Sequence, residues 1–547
     1  VNNVHIEEYC FFLEKGTYMS EHVMNPYSFD EFLRIRESID FYQSDAFTQK
    51  AFQHFSPPSI REQVDKAARE ISSKISYRWR KLVERMASWD RRPYLVHYDA
   101  HGHRIDEIVR PLESELLEKE IFSEAIFSTK THPWIRLAKL FLIYQLGEAC
   151  IACPLVCTEG LIALLERYAD TPELKNILTH CREGLDGNFA IGAQYLSEIQ
   201  GGSDVPSNRV KAVRDGKHWK IYGDKFFCSA THADYAVVTA KPDGSPNVAA
   251  FVVPSWEVPD GKIRKTRNNF TINRLKWKMG TVELPTAEIT FNGSIAYPVG
   301  PLDKGLANVV GIVLAYSRMT VGLSSAAFMI RGVREARLYA SFREAFGTRL
   351  ENFPLVARTL DEIEHIARRS LAGALKLYSL FFDLPGGFRG GLKPSDEPLD
   401  LWRKRFVVRE LVMLQKITAA QDAPDVLRKA ISIFGGHGVI EDFSDLPRLF
   451  RDSIVNELWE GPRNVLLTQI YRDLHRVKDY GYSPAMFCRD LLGDDPGNEL
   501  GKECEKLISG NVLMSRYECG RWDDFCSRLC WAFQERAYEK IEGEGNI

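Results

Sequence analysis

The chain has almost no net charge: 71 basic residues against 74 acidic ones leave −3 at neutral pH over 547 residues. That balance excludes a global electrostatic pull toward nucleic acid or an anionic membrane. An unbroken apolar run of membrane length is also missing near the most apolar helical stretch, around 140–165. Gly147, Glu148 and Pro154 interrupt it, so it reads as buried core and predicts no membrane span. The chain opens at Val1 with no signal-peptide pattern, which implies a trimmed start or a removed targeting segment. Metal-ligand spacing is lacking as well. Eleven cysteines, an odd number in a large chain, argue for reduced thiols. Cys150, Cys153 and Cys157 are expected on one apolar helix face as packing, while Cys504, Cys519, Cys526 and Cys530 lack zinc-ribbon spacing. His97, His101 and His103 cluster with Asp99, but a turn at Gly102 should splay them, so no metal site is predicted. Internal repeats are absent, and 386–398 is the one loop-like insertion of note.

What is present is an ordinary globular composition, 45% hydrophobic and 27% charged, in a chain too long for one core. Two to four domains are expected. Residues 1–188 read as helices, with a hairpin near 94–109. From 189 to 299, alternating segments such as Trp219–Tyr222 and Tyr235–Ala240 are separated by Asp-Gly turns, the punctuation of a β-sheet. Helical patterning returns over 300–475, and 476–547 reads as a helical extension. The predicted fold class is α+β and mostly α: an N-terminal helical domain, a central antiparallel β-domain, and a C-terminal helical bundle plus tail. Arg264, Lys265, Arg267, Arg274, Lys276 and Lys278 form a local basic stretch, read by default as a solvated face and alternatively as a contact for nucleotide phosphates.

The most informative segment runs from Arg451 to Asn464. It places Glu460 behind Leu458 and Trp459 and before Gly461 and Pro462, which force a bend. A carboxylate buried there would have its pKa raised toward that of a general base. A second segment, Tyr195 to Asp204, carries paired glycines flanked by Ser197 and Ser203, suited to close backbone approach by a ligand. A third, Ser432 to Gly438, is either a similar loop or a helix end closed by glycines. Arg318 lies inside the apolar helical run 312–321, where an unpaired guanidinium would be costly.

In this order and spacing, these segments resemble the acyl-CoA dehydrogenase family. Leu196–Asp204 looks like its first signature, Lys225–Ser229 the strand that follows, Arg343–Gly347 its Arg-x-x-Phe-Gly motif, and Ile433–Gly438 with Arg451–Gly461 its closing signatures. Tyr94–Asp106 is similar to an N-terminal segment of the AidB-like branch, and Trp459, Asn464 and the long extensions point the same way. Ile199, Val282 and Pro462 depart from the wider family pattern.

The resemblance implies FAD as cofactor, held by Leu196, Ser197, Gly202, Ser203, Phe227, Ser229, Ser432, Gly435, Gly436 and Asn464, with Arg343 and Phe346 reaching the flavin of a neighbouring subunit. It implies a fatty acyl-CoA substrate lying against Ser203, Ser317, Arg318, Trp459, Glu460 and Gly461, with Glu460 and Arg318 catalytic. Small residues after Arg318 and along 140–157 suggest medium-to-long chains, though they fit close helix packing equally well. A homotetramer, electron transfer to an electron-transferring flavoprotein and a mitochondrial-matrix location follow by family habit, with the cytoplasm as alternative. Two other functions stay open: an acyl-CoA-sequestering flavoprotein with little turnover, and an AidB-like DNA-associated flavoprotein. Residues 476–547 carry ten basic side chains against fourteen acidic, a net charge of −4, so no nucleic-acid partner is expected.

Overall fold

The computed structural model describes residues 27–543 apart from 186, 258–265, 395–396, 494–498 and 511–514. The N-terminal part is built from helices α1 (Asp30–Ser38), α2 (Ala46–Phe55), α3 (Arg61–Lys74), α4 (Arg80–Met86), α5 (Leu112–Phe122), α6 (Pro133–Tyr144), α7 (Ala152–Tyr168) and α8 (Pro172–Glu183). A hairpin of β1 (Tyr94–Tyr98) and β2 (Arg104–Val109) interrupts them. The apolar stretch around 140–165 is therefore two helices. The break between them holds Gly147 at φ +87°, where a Cβ would come within 2.4 Å of Arg448 Nη1, so only glycine fits.

The central part is a seven-stranded sheet. It comprises β3 (Gly192–Tyr195), β4 (Lys211–Asp215), β5 (His218–Ser229), β6 (Tyr235–Pro242), β7 (Ala249–Pro254), β10 (Phe270–Leu275) and β11 (Thr286–Pro298), with β8 (Trp256–Glu257) and β9 (Thr266–Arg267) paired beside it. Most pairings are antiparallel, and β6 runs parallel to both β3 and β4. These two strands enter from connections that cross over the sheet instead of from hairpins.

The C-terminal part contains α9 (Gly305–Asn308), α10 (Leu314–Phe342), α11 (Pro354–Phe382), α12 (Leu399–Phe434), α13 (Leu446–Leu458) and α14 (Arg463–Val477). Strands β12 (Glu344–Ala345) and β13 (Thr348–Arg349) form a small hairpin after α10. Helices α15 (Pro484–Leu492), α16 (Glu499–Ser509) and α17 (Arg516–Gly543) make the tail, and α17 lies against α11 and α12. The stretch Gly305–Phe342 is long and apolar enough to cross a membrane, yet most of it is buried as the core of the bundle.

Asp452, on α13, joins the three parts. Its carboxylate accepts the backbone N–H of Glu148 at 3.1 Å and that of Thr281 at 2.6 Å. The turn after α6, the end of the sheet and the bundle are thereby held around one space.

Candidate functional site

That space is a cavity of about 620 Å³. Its walls come from α7 (Cys153, Val156, Cys157), α10 (Arg318, Val321, Ser324, Phe328), α13 (Asp452, Val455, Asn456), the loop after β3 and the end of β5. Glu460 sits at its edge. Helix α13 stops at Leu458, Trp459 turns extended, and Glu460 takes the left-handed conformation at φ +62° before Gly461 at φ +101°. A non-glycine residue held in that region is strained and persists only where its surroundings over-determine it.

Three side chains do so. Arg318 Nε donates to the backbone carbonyl of Glu460 at 2.9 Å, and Lys416 Nζ donates to the carbonyls of Glu457 at 3.0 Å and Gly461 at 2.9 Å. Gln194 Nε2 donates to the Glu460 carboxylate at 2.6 Å. Burial pushes the Glu460 carboxyl up to about 7, against the pull of Arg318, Lys416 and Gln194. The same enclosure lowers Arg318 to about 10, with Glu460 opposing. Arg318 thus steers Glu460 through its backbone and its charge, while Gln194 makes the hydrogen bond to the carboxylate.

The loop after β3 is fastened from below. Lys225, fully buried, pairs with Glu198 at 2.8 Å and donates to the carbonyl of Leu196 at 3.1 Å. Burial lowers that lysine to about 8 despite Glu198. Phe226 N–H donates to the carbonyl of Ser197 at 3.0 Å, so loop and strand move as one piece. Gly202 packs directly over Ser197, where a Cβ would lie 2.4 Å from its Oγ, and Gly201 leaves the loop's outer side clear.

These residues fit a flavin. Phe227 presents a half-exposed aromatic face, Ser197, Ser203 and Ser229 place hydroxyls along one wall, and the buried Gln194 Oε1 and Thr281 Oγ1, both cavity-lining residues, lack any partner. A flat aromatic ligand with polar edges answers both features.

Of the residues expected from sequence, Leu196, Ser197, Gly202, Ser203, Phe227, Ser229, Arg318, Trp459, Glu460 and Gly461 line this one cavity. Ser317 lies beneath it, fully buried, with its Oγ 3.4 Å from Gln194 Nε2. The others lie elsewhere in the single chain. Asn464 lines a separate recess of about 330 Å³ with Arg463, Glu457 and Asp523. Ser432 bonds back to Arg428, and Gly435 ends α12 at φ +60°, so that segment is a helix terminus closed by glycines, with open space at Gly436. Arg343 stacks over Tyr27 at 4.7 Å, and Phe346 stands 99% exposed on the β12–β13 turn.

Several sequence expectations need correction. Cys150 precedes α7, at φ +58°, and does not share the face on which Cys153 and Cys157 lie 3.8 Å apart. The basic stretch is a solvated face only in part: Arg274 stays exposed, while Arg267, Lys276 and Lys278 are half-buried. Arg267 stacks on Trp256 at 4.6 Å, Arg274 and Lys276 pair with Glu288, and Lys278 turns inward to Leu284 and Thr286. Arg264 and Lys265 lie outside the described residues. Among the small residues, Gly322 faces Gln415 on α12, whereas Ala152, Cys153 and Ser324 do face the cavity. His97 pairs with Asp106 and His103 with Asp99, while His101 donates only its backbone N–H to Asp99. Among the described residues, the one cluster with metal-ligand spacing is Glu118, Cys150 and His232. Arg110 occupies it by pairing with Glu118 at 2.9 Å, which neutralises the charge a cation would need.

Sequence reasoning missed Gln194, Lys416 and Lys225. Gln194 is the one polar side chain of the short strand β3, whereas Lys416 and Lys225 stand among other polar and charged residues of α12 and β5, and none of the three carries a signal of its partner.

Known proteins share this architecture. Residues 34–181 match the family model of the adaptive response protein AidB N-terminal domain, 193–294 the acyl-CoA dehydrogenase middle domain, and 399–475 the acyl-CoA dehydrogenase C-terminal domain. Acyl-CoA dehydrogenase family member 11 of Caenorhabditis elegans is 27% identical over 79% of this chain and 70% of its own length. The putative acyl-CoA dehydrogenase AidB of Escherichia coli is 26% identical over 70% of this chain and 69% of its own. The structure of C. elegans ACDH-11 in complex with C11-CoA superposes with a TM-score of 0.76 at 23% identity, covering 92% of this chain and 91% of that one. An acyl-CoA dehydrogenase from Bacillus anthracis complexed with FAD superposes with a TM-score of 0.66 at 15% identity, over 89% and 87% of the two chains. The three matches follow one another in order along this fold, so the chain carries an AidB-type N-terminal domain followed by the middle and C-terminal domains of acyl-CoA dehydrogenases.

Proposed function

We propose that this protein carries out α,β-dehydrogenation of a medium-to-long-chain fatty acyl-CoA to the trans-2-enoyl-CoA, with Glu460 as the base. The observation that carries this is the Glu460 carboxyl, strained, oriented by Gln194 and raised to about 7 at the edge of a mostly apolar cavity. A general base works best with a pKa near the working pH. Bound FAD supplies the two-electron acceptor for the β-hydrogen, which leaves as hydride.

The chain's own residues do the rest. Glu460 takes the α-proton onto its carboxylate. Its backbone N–H donates to no acceptor among the described residues and is placed to donate to the thioester oxygen, where negative charge develops. Arg318 and Lys416 fix the bend so that this N–H and the carboxylate keep one geometry. Val156, Val321, Phe328 and Val455 exclude water from the acyl chain. The C11-CoA bound by the nematode relative supports the medium-chain assignment.

Assembly as a homotetramer belongs to the same proposal. It is supported by Phe346, an aromatic held fully exposed on a tight turn, where burial against a second copy removes the cost of exposure. Electron-transferring flavoprotein is the proposed acceptor of the electrons. The AidB-like N-terminal part favours DNA association as a second reading, but the tail carries net −4 and the described basic side chains of 267–278 already have partners within the chain. Anaerobic titration of the FAD-loaded protein with acyl-CoAs of graded length tests the proposal. Bleaching that is maximal for medium-to-long chains supports it; no bleaching with any length favours sequestration.

A further inference from the structure

Lys416 lies on α12 with none of its side chain exposed. An ammonium group in a helical core is costly unless every donor finds a partner. Two of its three N–H groups go to the carbonyls of Glu457 and Gly461, which stand on either side of Glu460. The Glu457 carbonyl belongs to the last turn of α13, whose carbonyls have no partner within the helix. Arg318 holds the carbonyl of Glu460 itself from α10, so two cations grip three carbonyls of one five-residue bend.

We propose that Lys416 is the positioning residue of the catalytic base: it clamps the bend on both sides of Glu460, and its charge helps keep that carboxylate ionised. This rests on the reading of Glu460 as the base. The groups facing the pair are Arg318 from α10, Glu457 from α13, Gln194 from β3 and Cys153 from α7. Arg409, Glu410 and Asp473 act on Arg318 one layer further out. Burial lowers Lys416 to about 7 while Glu460 raises it, and Lys416 in turn pulls Glu460 down. The influence is mutual, as it must be for two opposite charges held in one enclosure.

Three variants separate clamp from charge. Lys416→Arg keeps both, Lys416→Gln keeps donors without charge, and Lys416→Met removes both. Two quantities are measured on the full-length FAD-loaded protein. One is the pH profile of anaerobic flavin reduction by a medium-chain acyl-CoA. The other is the midpoint of the protonated Glu460 carboxyl band, identified by the infrared difference between wild type and Glu460→Gln. In Lys416→Gln, the acid limb and the infrared midpoint should both move up by about one pH unit or more, the scale set by loss of a nearby opposite charge. Lys416→Met should add a lower plateau rate, and Lys416→Arg should restore the limb toward wild type. A wild-type limb and midpoint in Lys416→Gln overturn the proposal, whether or not Lys416→Met folds. If Glu460→Gln still reduces its flavin at the normal rate, the base reading fails. A midpoint shift in Lys416→Gln would then still show the coupling of the two groups.

Discussion

Replacing Gln194 with leucine removes the one side-chain donor to the Glu460 carboxylate among the described residues, a contact of 2.6 Å. A hydrogen bond to a charged group contributes about 1.5–3 kcal/mol, and ~1.36 kcal/mol corresponds to one pKa unit. Water entering the cavity would replace part of the bond, so an upward shift of about one unit is the reasoned expectation. The Glu460 carboxyl, near 7 in the intact site, would then titrate close to ~8. Below these values the carboxyl is protonated and cannot act, so the acid limb of the rate profile moves to higher pH. At pH ~7 the ionised fraction falls from about a half to about a tenth, so flavin reduction slows roughly five-fold, while at pH ~9 it is nearly unchanged. Stopped-flow reduction by a medium-chain acyl-CoA across this range reads both numbers. An unmoved acid limb, or a uniform fall at every pH, would show that Gln194 does not tune the base.

Asp445 tests the buried ion network behind the cavity. It meets Arg331 at 2.7 Å, Arg448 at 3.0 Å and Arg36 at 3.3 Å, so Asp445→Asn should destabilise the fold by about 3–5 kcal/mol, read as a lowered Tm. Burial opposes ionisation of Asp445, but the three arginines hold its carboxyl well below the ordinary carboxylate range. Its contribution is therefore present above the unfolded pKa and lost only as pH falls through the depressed folded value; loss of that Tm contribution already at pH 5 would contradict this. Arg463 pairs with Asp523 of the tail helix at a partly exposed site, so a double-mutant cycle should give a coupling of no more than about 1 kcal/mol. Phe346→Ser should leave far-UV circular dichroism unchanged while light scattering shows smaller particles and flavin is lost more readily.

The parts of the site visible in sequence were those that punctuate the chain. Glu460 stood out because Gly461 and Pro462 dictate a bend directly after an apolar helix, and Ser197 to Ser203 because paired glycines mark close approach. The boundaries of the sheet were legible from Asp-Gly turns. What stayed hidden was partnership at a distance. Gln194 reaches Glu460 across 266 residues, and Lys416 reaches Gly461 across 45. Neither has a local signal of its partner, because a polar residue in a strand or helix looks the same whether it meets solvent, backbone or a catalytic group. The basic stretch misled for the converse reason: charges close in sequence find separate partners, so Arg274 and Lys276 meet Glu288 while Lys278, beyond the end of β10, turns inward to Leu284 and Thr286.

Glu460→Gln tests the central claim most directly. The amide preserves size and can remain next to Gln194 and within the bend, but it cannot accept a proton at neutral pH. The loaded variant should still bind acyl-CoA, yet its anaerobic flavin reduction should be slower by at least ~10²–10⁴-fold on the plateau above the wild-type acid limb. Reduction at the wild-type rate would place the base elsewhere and contradict the account.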